Sequence, residues 1–170
     1  MVGGVRREQL VEAAFRRVAE AGFEGLRLRQ VAADVGIDHS TLHHHVATKQ
    51  ELVEAVALHV VRQFFDTSAG GGLRAHLETL RRMMIEKPEL FTVTAELDLR
   101  ARRDPAVRDA MRRFEAGWRE ALVQIMAPSV AEPGKAAELV IATVKGVRLV
   151  PEMAGDVFGR LVELLEPEQE

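Results

Sequence analysis

The stretch GFEGLRLRQVAADVGIDHSTLHHHVATKQEL, residues 22–52, decides how the rest of the chain is read. Leu28, Val31, Ala32 and Val35 recur at i, i+3, i+4 and i+7, the stripe that a helix turns toward a core. Gly36 ends that helix one residue beyond Val35, and Asp38 is a good N-cap for a short helix running to about Val46, since a carboxylate accepts hydrogen bonds from the first free backbone N–H groups. Thr48 and Glu51 then stand in the S/T-x-x-E spacing of a capping box and open a further helix toward about Asp66. A helix, a tight turn and a second short helix form the helix-turn-helix pattern, in which the second helix enters the DNA major groove. With Leu42 and Val46 turned to the core, Ser40 and His44 lie on the opposite side and His43 and His45 on the flanks. That outward face holds only hydrogen-bonding side chains, suited to base edges and phosphates.

Outward from this segment the chain reads as all-α. Val11, Ala14, Phe15 and Val18 form a helical stripe that precedes it, and Gly22 is placed to end that helix in the left-handed conformation. The run DTSAGGG, residues 66–72, has the composition of a linker, so four helices precede it and about five follow. Leu73, Leu77, Leu80 and Met84 mark one, and Pro88 opens another with Leu90, Phe91 and Leu97. Asp104-Pro105 is a cap with proline at the first helical position of a long helix. That helix carries Val107, Met111, Phe114, Trp118, Leu122 and Ile125 on one side. The last two, within 136–150 and 156–165, are apolar over more surface than a single core can cover. Small residues at Ala142, Gly146, Gly155 and Gly159 allow close helix approach, so a homodimer through these two helices is expected. No repeat of fixed period or low-complexity tract appears, which disfavours solenoids.

Composition sets the outer bounds. A chain of 170 residues with 47% hydrophobic and 29% charged residues is long enough for a core without disulfides, and is neither disordered nor membrane-spanning in character. Its start, MVGGVRREQLVEAAF, lacks a secretory signal's apolar run, and the expectation is a cytoplasmic chain with no membrane partner. Zero cysteines remove disulfides, thiol nucleophiles and Cys-based zinc sites. A net charge of −3 discourages DNA binding when taken alone, yet residues 1–50 carry seven Lys/Arg against six Asp/Glu, and the excess acid lies beyond them. Four of the six histidines also fall between positions 39 and 45.

With Gly22-Phe23, Val31-Ala32, Gly36-Ile37, Thr41-Leu42, His45 and Lys49 in order and spacing, the first fifty residues resemble the tetracycline-repressor (TetR) family. The resemblance implies a recognition helix in the major groove, phosphate contacts from the following lysine and the aromatic-His region, and a larger helical domain that dimerises and binds an inducer. Carried over by position, it makes Arg29, His39, Ser40, Thr41 and His44 base-reading candidates, and His43, His45, Thr48 and Lys49 backbone contacts. Two departures stand out. Arg27 occupies the entry to the second helix where the family usually has Ser or Thr, so a cap is lost and a cation gained, placing Arg27 among the DNA-binding candidates. His43 stands where the family most often has Tyr, so operator affinity is expected to rise as pH falls.

Competing readings are weaker. His43, His44 and His45 are about 100° apart on a helix and cannot converge on one metal ion. There is no GxSxG elbow, P-loop or HExxH, so no enzyme and no cofactor are expected. Met83, Met84, Phe91, Phe114 and Trp118 are candidates for lining an apolar ligand site, with His76 and Thr94 as its polar groups, although apolar residues at helical spacing are also what any core needs. The expected organisation is a helix-turn-helix DNA-binding domain over 1–48, a connecting helix over 49–66, and a helical ligand-binding and dimerisation domain over 67–170. The function that follows is a DNA-binding transcriptional regulator, a repressor released from a palindromic operator by a small-molecule inducer. The alternative is a helical small-molecule-binding protein whose helix-turn-helix no longer reads DNA.

Overall fold

The computed structural model describes residues 2–65 and 71–166. Most of the DTSAGGG linker, residues 66–70, lies outside the described residues. Among the described residues there are nine α-helices and no strand: α1 Val2–Gly25, α2 Leu28–Asp34, α3 His39–His43, α4 Lys49–Phe65, α5 Gly72–Glu86, α6 Pro88–Ala101, α7 Pro105–Met126, α8 Pro133–Val147 and α9 Ala154–Leu165. A 3₁₀ turn, Pro151–Met153, precedes α9. The chain divides into two compact units, one joining residues 1–63 with 92–111 and the other joining 64–91 with 112–170.

The first unit is organised by its glycines and its apolar stripes. Val11, Ala14, Phe15 and Val18 of α1 are buried, as are Val31 and Ala32 of α2 and Leu42 of α3. Gly22 kinks α1 at φ 63, ψ 178, a region that only glycine occupies without strain, and the last residues of α1 continue beyond it. The first helical segment ends at this glycine with the positive φ that the sequence calls for, while its ψ is extended and sets the direction in which a short second segment leaves. Gly36 has φ +72, and it closes α2 in a Schellman arrangement: its N–H donates to the Ala33 carbonyl at 3.0 Å and the Ile37 N–H donates to the Ala32 carbonyl at 3.0 Å. Asp38 caps α3 by accepting from the Thr41 N–H at 2.8 Å.

α3 is shorter than the Asp38–Val46 span that the sequence predicts. The His44 N–H bonds to the Thr41 carbonyl and the His45 N–H to the Leu42 carbonyl, so the backbone tightens into i→i−3 turns after His43. The apolar spacing of Leu42 and Val46 survives because both remain fully buried on either side of that turn. Thr48 then starts α4, its hydroxyl accepting from the Glu51 N–H at 3.0 Å. Glu51 reaches back to the Ala47 N–H at 2.9 Å, one residue before the position a capping box prescribes, and also accepts from Arg7 of α1 at 3.1 Å.

In the second unit, α5 packs on α9 and on the 3₁₀ turn, and α8 packs on α9. Leu73, Leu77, Leu80 and Met84 of α5 meet a layer that includes Phe158, Leu161 and Val162 of α9, all buried. Arg119 donates to Glu138 at 3.2 Å and Lys145 donates to Glu115, tying the C-terminal part of α7 to α8.

Candidate nucleic-acid interface

The ten residues singled out for DNA all lie between the N-cap of α2 and the first residue of α4, but their side chains are held in different ways. Arg29, His39, His43 and His44 are exposed. Ser40 is exposed too, yet its hydroxyl donates to Asp38 at 2.5 Å, and the hydroxyl of half-buried Thr41 donates to the other carboxylate oxygen at 2.9 Å. The Ser40 hydroxyl first, and then the Thr41 N–H and hydroxyl, hold the Asp38 carboxyl far below the usual carboxylate range. Ser40 and Thr41 therefore offer lone pairs outward while their hydrogens serve the cap. Arg27 stands at the N-cap of α2 without a side-chain cap bond, as the missing Ser or Thr implies, and its guanidinium donates instead to the carbonyls of Glu24 and Leu26.

The histidines are not equivalent. The His43 ring lies edge-on to His39 with centroids 4.6 Å apart, and its Nδ1 is 3.2 Å from the Ala47 carbonyl oxygen. A carbonyl only accepts, so Nδ1 carries the hydrogen of that bond. His44 is the C-cap of α3 and His45, half-buried, follows it. Thr48 is exposed beside them as the cap of α4. Lys49 is half-buried, and its ammonium donates to the Phe23 carbonyl at 3.2 Å. Burial pushes that ammonium below its ordinary value, and the nearby cations Arg27 and Arg100 push in the same direction.

One set of neighbours has no local signal in the sequence. The Gln50 amide of α4 donates to both oxygens of Asp104, at 3.0 and 3.2 Å, and accepts from Arg100 at 3.3 Å. Arg100 also pairs with Asp104 at 3.1 Å, and its guanidinium lies 5.3 Å from the Phe23 ring centroid. Burial raises the Asp104 carboxyl, but hydrogen bonds from Gln50, the Val107 N–H and Arg100 outweigh it and leave the group below its usual value. The bonds of Gln50 to Asp104 and Arg100 span 54 and 50 positions, so no periodicity could have announced them, whereas Arg100–Asp104 is an i,i+4 pair.

Two family models match the chain. "Bacterial regulatory proteins, tetR family" covers residues 10–56, and "Tetracyclin repressor-like, C-terminal domain" covers residues 68–162. The chain belongs to the TetR family. Among curated TetR-family relatives, the tetracycline repressor protein class D of Escherichia coli is 34% identical over 64 residues, which are 38% of this chain and 29% of that protein. The transcriptional repressor AcnR of Corynebacterium diphtheriae is 29% identical over 107 residues, 62% of this chain and 55% of AcnR. The matched stretches thus span between 29% and 55% of those two proteins' lengths. In fold, the TetR-family chain is similar to a transcriptional regulator from Rhodococcus sp. Rha1, with a TM-score of 0.82 at 21% identity over 96% of this chain and 99% of that one.

The five ligand candidates fall in the second unit. Met83, Met84 and Phe91 are buried, and Phe114 and Trp118 are half-buried. Phe91 meets Phe64 edge-on at 5.5 Å, Phe64 meets Phe114 at 5.5 Å, and Phe114 stacks on Trp118 at 6.3 Å. The Trp118 indole N–H donates to Nε2 of buried His76 at 3.1 Å. Thr94 is buried as well, but within the first unit. Among the described residues no helix is long and apolar enough to cross a membrane, and no group of three or more His, Asp or Glu could hold a metal ion.

Proposed function

We propose that this TetR-family chain is a homodimeric transcriptional repressor that binds a palindromic DNA operator and is released from it by a small-molecule inducer. The observation that carries the reading is the capped α2–turn–α3 unit. Gly36 and Asp38 fix the turn, buried Leu42 and Val46 anchor α3, and the face left over presents His39, Ser40, His43 and His44 to solvent. Arg29, His39, Ser40, Thr41 and His44 are assigned to base edges. Arg27, His43, His45, Thr48 and Lys49 are assigned to the phosphate backbone. Residues 1–48 read DNA, 49–66 connect, and 67–170 bind ligand and dimerise; Met83, Met84, Phe91, Phe114 and Trp118 are the ligand candidates. Such a protein works in the cytoplasm and needs no catalytic residue.

Dimerisation is supported by what the second unit leaves uncovered. Leu139, Leu149, Val150, Met153 and Leu164, on α8, α9 and the turn between them, are exposed, with Leu149 at 70% and Leu164 at 68%. A Cβ built at Gly146, Gly155 or Gly159 would meet no atom within 4 Å, so nothing within the subunit requires these residues to be small. A second copy seated there accounts for both, and it would set two recognition helices about 34–36 Å apart, one turn of DNA. Ligand binding would then favour a dimer whose recognition helices are spaced wrongly for adjacent major grooves.

One observation favours the second reading, a small-molecule-binding protein whose helix-turn-helix no longer reads DNA. The Asp38 carboxylate stays ionised at the start of α3 and holds the Ser40 and Thr41 hydroxyl hydrogens. Selection of bound sequences from a random duplex pool separates the two. A two-fold symmetric consensus is expected, with Lys49→Ala weakening all sequences and His44→Ala altering specificity; recovery of no consensus by the intact chain would establish the second reading.

A further inference from the structure

The α6–α7 turn is built to present two arginines. Arg108 of α7 donates to the Ala101 carbonyl at 2.9 Å and to the Arg102 carbonyl at 3.2 Å, and Arg100 pairs with Asp104 across the turn. Asp104 in turn accepts from Gln50 at the start of α4 and from the Val107 N–H at 3.3 Å. Two arginines are thus consumed in bracing the backbone, while the intervening Arg102 and Arg103 are exposed. No carboxylate among the described residues pairs with either guanidinium.

The place of this turn gives those charges a use. Arg102 and Arg103 line a surface groove of about 980 Å³ together with Phe23 and Glu24 at the end of α1 and Gln50 of α4. Lys49 precedes Gln50 in the chain, and Arg27 donates to the Glu24 carbonyl on the same side. Lys49 is depressed by burial and then by Arg27 and Arg100, so cations are crowded here at a cost that an approaching anion would relieve. Glu24, Glu96 and Asp104 are the carboxylates of the groove, against the cations Arg100, Arg102 and Arg103 within it and Arg27 and Lys49 beside it. Three carboxylates and three cations line the groove, and because Arg100 is paired with Asp104, Arg102 and Arg103 are the lining cations left to meet an anion.

We propose that the α6–α7 turn is a second DNA-backbone grip, in which Arg102 and Arg103 bind phosphates flanking the bases read by α3. The inference rests on the DNA-binding reading and extends the phosphate surface beyond the helix-turn-helix to a segment fifty residues away. A braced turn loses little conformational freedom on binding, which favours charges placed on it over charges on a mobile tail.

The test uses the full-length chain and two duplexes carrying the selected consensus, one trimmed to it and one extended by about one helical turn, about 10 base pairs, on each side. Affinity is followed against salt. Each phosphate contact contributes about 0.9 to the slope of log affinity on log salt, so R102Q/R103Q should flatten it by about 1.8 per bound chain on the long duplex and leave the trimmed duplex unchanged. R102K/R103K should restore the slope, which distinguishes charge from an effect on folding. An unchanged slope on the long duplex, or an equal loss on both, overturns the proposal while leaving DNA binding intact. If the unaltered chain binds neither duplex, it is the DNA-binding reading that fails, and the grip with it.

Discussion

Lowering the pH from 8 to 6 should tighten operator binding, and the geometry of His43 gives the sign. Its Nδ1 hydrogen is committed to the Ala47 carbonyl, so a neutral ring would turn a lone pair on Nε2 toward a phosphate oxygen, which can only accept. Only the imidazolium has a second N–H to donate. Binding therefore favours the protonated ring, and affinity rises as pH falls through the range in which histidine changes charge. A hydrogen bond to a charged group is worth about 1.5–3 kcal/mol, so the gain is about ten- to a hundredfold per chain, with a limit of tenfold per pH unit for each proton taken up. The other groups around the ring are His39 at its edge, His44 and His45 along the chain, Asp38 at the helix start, and the Glu51–Arg7 pair behind Ala47. Asp38 and Glu51 are both held below the usual carboxylate range by the hydrogen bonds they accept, so both stay ionised between pH 6 and 8. Fluorescence anisotropy with the selected operator at pH 6, 7 and 8 in matched salt is the assay. His43→Tyr supplies a hydroxyl donor at every pH and should bind with little pH dependence. A flat profile for the native chain, or a slope that survives in His43→Tyr, refutes the assignment of the proton to His43.

Three further outcomes are expected. Gly22→Ala should destabilise the chain by about 1–3 kcal/mol in denaturant unfolding, because φ 63 with ψ 178 strains any side chain; a built Cβ also falls 3.0 Å from the Glu96 carboxylate. Leu149→Glu with Leu164→Glu should give a monomer by sedimentation and greatly weaken operator binding, whereas an intact dimer would place the interface elsewhere. Asp104 has a depressed pKa in the folded chain, so its contribution to stability is complete above the unfolded carboxylate value, about 3.9, and is lost as pH falls through its lower folded value. Asp104→Asn should therefore be less stable than the native chain at neutral pH, and the difference should shrink in acid unfolding experiments.

The parts of the fold that were legible in the sequence are those set by residues within a turn or two of one another. Gly36, Asp38 and Thr48 act where a short-range rule places them, and the stripes of α1 and α5 are buried as their periodicity requires. The end of α3 is not legible in the apolar pattern, because the Val46 N–H still bonds to the Leu42 carbonyl at 2.9 Å and preserves the four-residue spacing while the His44 and His45 N–H groups close i→i−3 turns. Bonds made by the donors of Ser40 and Thr41 were hidden for a different reason, since composition reveals that a hydroxyl is present but not which way its hydrogen points. Nothing local links Gln50 with Asp104 or Arg7 with Glu51, so the bracing of α4 emerges only when distant segments are brought together.

The inclusion of residues 92–111 in the first unit bears on how regulators of this kind could be recombined. A chimera joined at 66–72, the obvious seam, would carry the recognition helix but strip Gln50 of Asp104 and Phe23 of Arg100. The incoming partner would have to supply equivalents by chance. Exchange of sensing halves is thus constrained to donors that keep an acidic cap and an arginine at the α6–α7 turn, which makes that turn a compatibility key for grafting one regulator's reader onto another's sensor.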